Sequence, residues 1–220
     1  MSKETTGDLL IKELHKDPQV FYEKGRSYQL LQEYFKDYNI ATLSGLLTDK
    51  DPYVKRAAIW IASELGYESR SLITEIFPLA NDDEDEYIQS YALEVLTVCA
   101  HGEHSERIIH VIEALESKRK LIRLLAMRLI ANLTADQIEA GIEYFKSSNS
   151  LHVKGLKFLG DCDQLSAKQV LLLIENQEPL NRKYGAILAK CKLQSEPELM
   201  TIVAKSLDSD LREFSGSLVA

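Results

Sequence analysis

A small residue recurs along this chain at a nearly fixed interval, and that spacing constrains the fold more than any other feature. Ala58, Ala92, Ala126, Gly155, Gly185 and Ser215 follow one another at intervals of 34, 34, 29, 30 and 30 residues. Three positions after each stands a large apolar residue: Ile61, Val95, Leu129, Phe158, Leu188 and Leu218. Four positions before each stand Val54, Ile88, Ile122, Leu151, Asn181 and Leu211, where only Asn181 breaks the column, beside Leu180. Apolar, small and apolar residues at i, i+4 and i+7 describe one face of an α-helix. The small residue at the centre of that face lets another helix approach closely.

A second apolar segment precedes each of these helices, at 42–47, 72–80, 108–115, 138–145, 170–174 and 199–207. Two helices per period make a hairpin. A single hairpin cannot bury its own faces, so successive hairpins stack. The expected fold is all-α, an α-solenoid of about six antiparallel hairpins forming one domain over 1–220. Within it, 38–220 hold the repeats, and 1–37 form an N-terminal helical cap with Tyr28, Leu30, Leu31, Tyr34 and Phe35 available to cover the first hairpin. At the other end Ser215 and Ser217 suit a polar terminal unit.

Local signals divide the chain at the same places. Thr134-Ala-Asp-Gln137, Ser166-Ala-Lys-Gln169 and Ser195-Glu-Pro-Glu198 fit capping boxes at three first-helix starts. Asp51-Pro52 and Glu178-Pro179 put proline where a helix start has no use for the missing N–H. Gly66 and Gly102 suit the ends of second helices. With only five prolines and ten glycines in 220 residues, long helices are favoured over a turn-rich β fold.

The segment 51–66, DPYVKRAAIWIASELG, resembles a HEAT repeat, including the subtype of phycobilin lyases. The likeness lies in the Asp-Pro turn, the branched apolar Val54, the basic residue after it and the small Ala58, and it extends from about residue 38 to the C-terminus. In HEAT-like proteins the second helices line a concave surface. The resemblance therefore implies two inner rows, Arg56, Ser90, Leu124, Val153, Lys183 and Glu213, and Trp60, Glu94, Arg128, Lys157, Ile187 and Ser217. Trp60 on that surface, beside charges, suits a binding anchor. The alternative is that it packs against a neighbouring helix or the N-terminal cap.

No catalytic, cofactor or metal residues are expected. There is no Gly-rich phosphate loop and no nucleophile elbow. Cys99, His101, His104 and His110 superficially offer ligands, but their spacing fits no zinc pattern. The adjacent His-Glu pairs of HEAT-repeat deoxyhypusine hydroxylases have no counterpart here. Asn81-Asp-Asp-Glu-Asp-Glu86 lacks the register of an EF-hand loop and reads as a solvated turn or an attractor of basic groups. Three widely spaced cysteines do not make a disulfide framework. No apolar run approaches the ~18 residues of a membrane span, and residues 1–8 lack the apolar core of a signal peptide. A soluble, cytoplasmic protein is expected.

Charge is uneven. Residues 1–110 carry 11 Lys/Arg against 20 Asp/Glu, whereas 111–220 carry 15 against 14. An acidic half discourages general nucleic-acid binding and favours a basic protein partner. The chain also resembles the HEAT-like immunity proteins that bind and block polymorphic toxins, often nucleases, which implies a non-enzymatic inhibitor. Its expected partner-binding residues are Arg56, Trp60, Glu64, Ser90 and Glu94, with Asp82, Asp83 and Glu84 in the acidic turn. The competing reading is a HEAT-like alkylpurine DNA glycosylase, to which Trp60 with Glu64, or Glu94 with Arg128, is loosely fitted.

Overall fold

A computed structural model describes residues 4–81 and 85–216, and among them every regular element is a helix. The chain folds as two compact units, Met1–Cys99 and Ala100–Ala220. No helix among the described residues is long and apolar enough to cross a membrane.

The first unit starts with a capping box missed in the sequence. Thr5 accepts from the Asp8 N–H, and the Asp8 carboxylate accepts from the Thr5 N–H, at the start of α1 (Thr6–Lys16). Then come α2 (Pro18–Glu23), α3 (Arg26–Tyr34), α4 (Thr42–Leu47) and α5 (Pro52–Leu65). The cap is as expected on one face only: Leu30, Leu31 and Tyr34 are buried, whereas Tyr28 and Phe35 point to solvent. Both α2 and α3 pack on α5. At the head of α5, Asp51 accepts from the Tyr53 and Val54 N–H groups and Pro52 occupies the first turn. Gly66 ends the helix at φ 57°, a backbone region that glycine enters without a Cβ clash.

Val54, Ala58 and Ile61 are completely buried on α5, as are Ile88 and Ala92 on α7 (Glu86–Cys99), which packs against it. Between them the expected first helix is mostly 3₁₀, with only α6 (Ile73–Ile76) truly α. Pro78 lies in the second 3₁₀ stretch, where its missing N–H and its ring prevent an α-helix from running on from α6.

The second unit contains α8 (Ile109–Glu113), α9 (Lys120–Ile130), α10 (Ala135–Phe145), α11 (Ser150–Gly160), α12 (Ala167–Ile174), α13 (Pro179–Cys191), α14 (Glu198–Ala204) and α15 (Ser209–Gly216). Capping boxes form at Thr134 and Ser166. The expected box at Ser195 does not form: α14 begins after Pro197, and the Ser195 hydroxyl turns back to donate to the Lys192 carbonyl. Here α13 touches α9, α11, α12, α14 and α15, and α9 also reaches α15. An open row of hairpins leaves its inner helices facing solvent, whereas α13 is enclosed by its neighbours. Ile187 and Lys183, expected on an exposed inner surface, are accordingly buried, at 0% and 7% exposure.

Three arginines recur three positions before the small residue of their helices. Arg123 donates to the Ser117 and Lys118 carbonyls, Arg182 to those of Asn176 and Gln177, and Arg212 to those of Ser206 and Leu207. Each satisfies carbonyls five and six residues back, in the turn that leads into its own helix. Arg182 also pairs with Asp208 at 2.8 Å, and Arg123 with Asp210 at 2.6 Å.

At the two glycines of the small-residue column the space that a Cβ would need is already filled. A Cβ built on Gly155 would stand 2.3 Å from the Tyr184 ring, and one on Gly185 would stand 2.6 Å from the Ile174 backbone nitrogen. Gly45, in α4, has nothing within 4 Å of such a Cβ. Gly155→Ala should therefore cost about 1–3 kcal/mol by overpacking, whereas Gly45→Ala should be neutral or stabilise by about 0.5–1 kcal/mol. Urea unfolding of both variants checks this, and equal effects would remove the close-approach reading of the column.

Candidate protein-interaction site

The first unit gathers tyrosines. Eight of the ten in the chain lie within residues 1–99, the stretch that also holds 18 Asp/Glu against 10 Lys/Arg. Residues 100–220 carry 16 of each sign, so the whole formal charge of −8 resides in the first unit.

On α5, Arg56, Trp60 and Glu64 stand four residues apart and share one face. Asp85 caps the start of α7, accepting from the Tyr87 and Ile88 N–H groups. Its other oxygen accepts from Arg56 Nε at 2.5 Å. The guanidinium lies 5.3 Å from the Tyr53 ring centre and 5.2 Å from that of Tyr87. Tyr22, from α2, leans on Tyr53 with ring centres 6.2 Å apart. Arg56 thus joins two helices and two aromatic rings, and its charge is already paired.

One turn further along the face, Trp60 and Ser90 are half-buried, and the Ser90 hydroxyl donates to the Glu86 carbonyl. Glu64 is exposed and Glu94 half-buried. Burial raises the Tyr91 phenol above its ordinary range, and Tyr22, Glu94, Glu64 and Tyr87 push it the same way. The structure therefore places Arg56, Trp60 and Glu64 on one helix and Ser90 and Glu94 on the helix packed against it. Asp82, Asp83 and Glu84 lie outside the described residues, as does Ser217. Tyr22, Tyr53, Tyr87 and Tyr91 were absent from the sequence-based site. Their signal was the crowding of tyrosine into residues 1–99.

The histidines and cysteines considered as ligands have other partners. His110 Nδ1 lies 3.1 Å from a Glu113 oxygen, His101 hydrogen-bonds the Thr134 hydroxyl, and the Cys99 thiol donates to the Gly66 carbonyl. Among the described residues no group of three His, Cys, Asp or Glu side chains is arranged to hold a metal ion.

A buried polar cluster in the second unit was not anticipated. His152 occupies the position that arginine takes in α9, α13 and α15. Its Nδ1 lies 3.0 Å from the Tyr184 hydroxyl and its Nε2 3.1 Å from a Glu116 oxygen. Nearby, the buried Lys183 ammonium donates to the Leu115 carbonyl at 2.5 Å. Burial lowers the His152 pKa below 6.5, outweighing the opposite pull of Glu116 and Glu113, while Lys183 adds to the lowering.

The geometry defines the chain as a helical-repeat protein. No protein-family model and no curated protein sequence matches it. Among solved structures it is similar to a designed armadillo repeat protein, at 13% identity and a TM-score of 0.47, covering 98% of this chain and 93% of that one. It is also similar to an engineered protein of the Northeast Structural Genomics Consortium, at 15% identity and a TM-score of 0.43, covering 81% and 94%. Likenesses this distant assign no family.

Two expectations follow from the site geometry. Removing Arg56 strands a carboxylate that is only 7% exposed, so Arg56→Met should lower stability by about 1–3 kcal/mol. Arg56→Lys should recover only part of that loss, because an ammonium lacks the planar fork. Paired chemical denaturation curves would show the ranking. For His152, a folded pKa below the unfolded value means that the unfolded chain binds the proton more readily. The related stability is complete above about pH 6.5 and is lost as pH falls toward the folded pKa. Urea midpoints should drop between about pH 7 and pH 5, with a shallower drop in His152→Gln, whatever that substitution costs at neutral pH.

Proposed function

We propose that this protein is a non-catalytic binding scaffold that acts in the cytoplasm as an immunity protein, engaging and neutralising a basic toxin such as a nuclease. The observation that carries the reading is the aromatic and acidic face of α5 and α7, set in the unit that holds all of the chain's net negative charge. Tyrosine and tryptophan supply large contact areas with few rotatable bonds, which suits anchor positions in a protein interface. The surrounding carboxylates raise the encounter rate with a basic partner, and a nuclease is basic where it holds phosphate. Trp60 provides the anchor, while Glu64 and Glu94 contribute the local charge. Asp82, Asp83 and Glu84 add to the long-range field.

Co-expression with the product of a neighbouring toxin-like gene tests this. The toxin should arrest growth alone, and this protein should restore growth and co-purify with the toxin. Association should slow severalfold between about 50 and 300 mM salt. Trp60→Ala should mainly speed dissociation, by a factor equivalent to roughly 2 kcal/mol. A toxin that kills equally in the presence of this protein, without binding it, would end the immunity reading.

A further inference from the structure

Two cysteines that lie far apart in the sequence end neighbouring helices of the second unit. Gly155 of α11 and Tyr184 of α13 approach closely, since a Cβ on Gly155 would stand 2.3 Å from the Tyr184 ring. Seven residues further along each helix come Cys162 and Cys191. Seven residues make about two helical turns, so each cysteine returns to the side of its helix that makes this contact. The two helices pack on each other, and the two thiols hydrogen-bond each other. The Cys191 thiol also lies 3.7 Å from the Ala131 carbonyl oxygen, just past α9, so three helix ends meet at this pair. Cys191 is the last residue of α13, and Cys162 opens a 3₁₀ turn, Cys162–Gln164, that follows α11. Both are free thiols, Cys162 half-buried and Cys191 exposed.

We propose that Cys162 and Cys191 form a reversible dithiol–disulfide switch which, when closed, braces α11 against α13. It uses no part of the α5–α7 face and is independent of the immunity reading. The co-reactant is a low-molecular-weight disulfide such as oxidised glutathione. One protein thiolate attacks a glutathione sulfur, forms a mixed disulfide and expels one glutathione thiolate. The second protein thiolate then attacks the protein sulfur of that mixed disulfide and expels the other glutathione. Two protein thiols and one glutathione disulfide thus give one protein disulfide and two glutathione thiols, with electrons and protons balanced. The movement that brings the sulfurs to about 2.05 Å falls on a helix end and a short turn rather than inside a helix. Burial pushes the Cys191 thiol up to about 11 and the Cys162 thiol upward as well, although Lys192 opposes the rise at Cys162. Both are therefore mostly protonated at neutral pH. That suits slow exchange with the surrounding thiol pool rather than a catalytic nucleophile.

The third cysteine is an internal control. Cys99 is buried in the first unit, donates to the Gly66 carbonyl, and has its thiol pushed up to about 11 by burial. Excess oxidised glutathione, added to the reduced full chain in mildly alkaline buffer, should remove two hydrogens from the intact mass. Peptide mapping without reduction should join Cys162 to Cys191 and leave Cys99 free, and dithiothreitol should reverse the change. A bond that closes the loop between these residues restricts the unfolded chain, so the urea midpoint of the second unit should rise by about 1 M. Cys162→Ser leaves the exposed Cys191 alone. That variant should stop at a mixed disulfide carrying one glutathione, with no rise in its midpoint, and circular dichroism confirms its fold. If the variant does not fold, the mapping and midpoint of the parent protein still decide. The proposal is overturned by two glutathiones on each parent chain, by a bond to Cys99 or to a second chain, or by no loss of two hydrogens. A midpoint that stays level or falls on closure would also overturn it.

Discussion

The tertiary structure depends on how closely two helices can approach at one position per repeat. Ala58, Ala92, Ala126, Gly155 and Gly185 are all buried at that position. Where the residue is glycine, the space that a methyl group would need is already occupied, by the Tyr184 ring at Gly155 and by the Ile174 backbone at Gly185. Close-packed interiors respond to single methylene groups, so this column sets helix spacing. The large residues four before and three after it then bury apolar area on either side. Each such leucine or isoleucine contributes about 1.5–3 kcal/mol when removed from water.

Polar groups follow the same repeat. A helix start preceded by a turn leaves carbonyls and N–H groups that must be satisfied. Here an arginine from within the helix reaches back to two turn carbonyls, and it does so in α9, α13 and α15. Asp85 and Asp208 sit at helix starts and also receive an arginine from an earlier second helix, so capping and helix-to-helix pairing share one carboxylate. His152 departs from this pattern. It takes the arginine position in α11 and binds Tyr184 and Glu116 instead, which places a titratable ring in the core where α9, α13 and α15 keep a permanent charge.

Function reads differently in the two units. Residues 100–220 balance their charges, and of the inner rows expected there Lys183 and Ile187 are buried in α13 while Lys157 and Glu213 are exposed. Residues 1–99 carry the excess carboxylates and nearly all the tyrosines, and α5 and α7 present Trp60, Tyr87, Tyr91 and Glu64. Within that face Arg56 serves the structure as much as any partner, since Asp85 and two rings already hold it.

The sequence by itself determined most of the helices and the buried column, because helical periodicity and capping act over a few residues and can be read locally, although 72–80 is largely 3₁₀ and Ser195 forms no capping box. Thr134, Ser166, Asp51 and Gly66 all behave as their immediate neighbours require. Periodicity also brought Arg56, Trp60 and Glu64 onto one face. Only the tertiary structure decided that α13 is enclosed, that α9 reaches α15, and that Lys183 donates to a carbonyl 68 residues earlier in the chain. The same holds for the meeting of Tyr22, Tyr53 and Tyr87, from α2, α5 and α7, around Arg56. Such meetings depend on the accumulated angles between successive helices, and no local pattern of residue types records those angles.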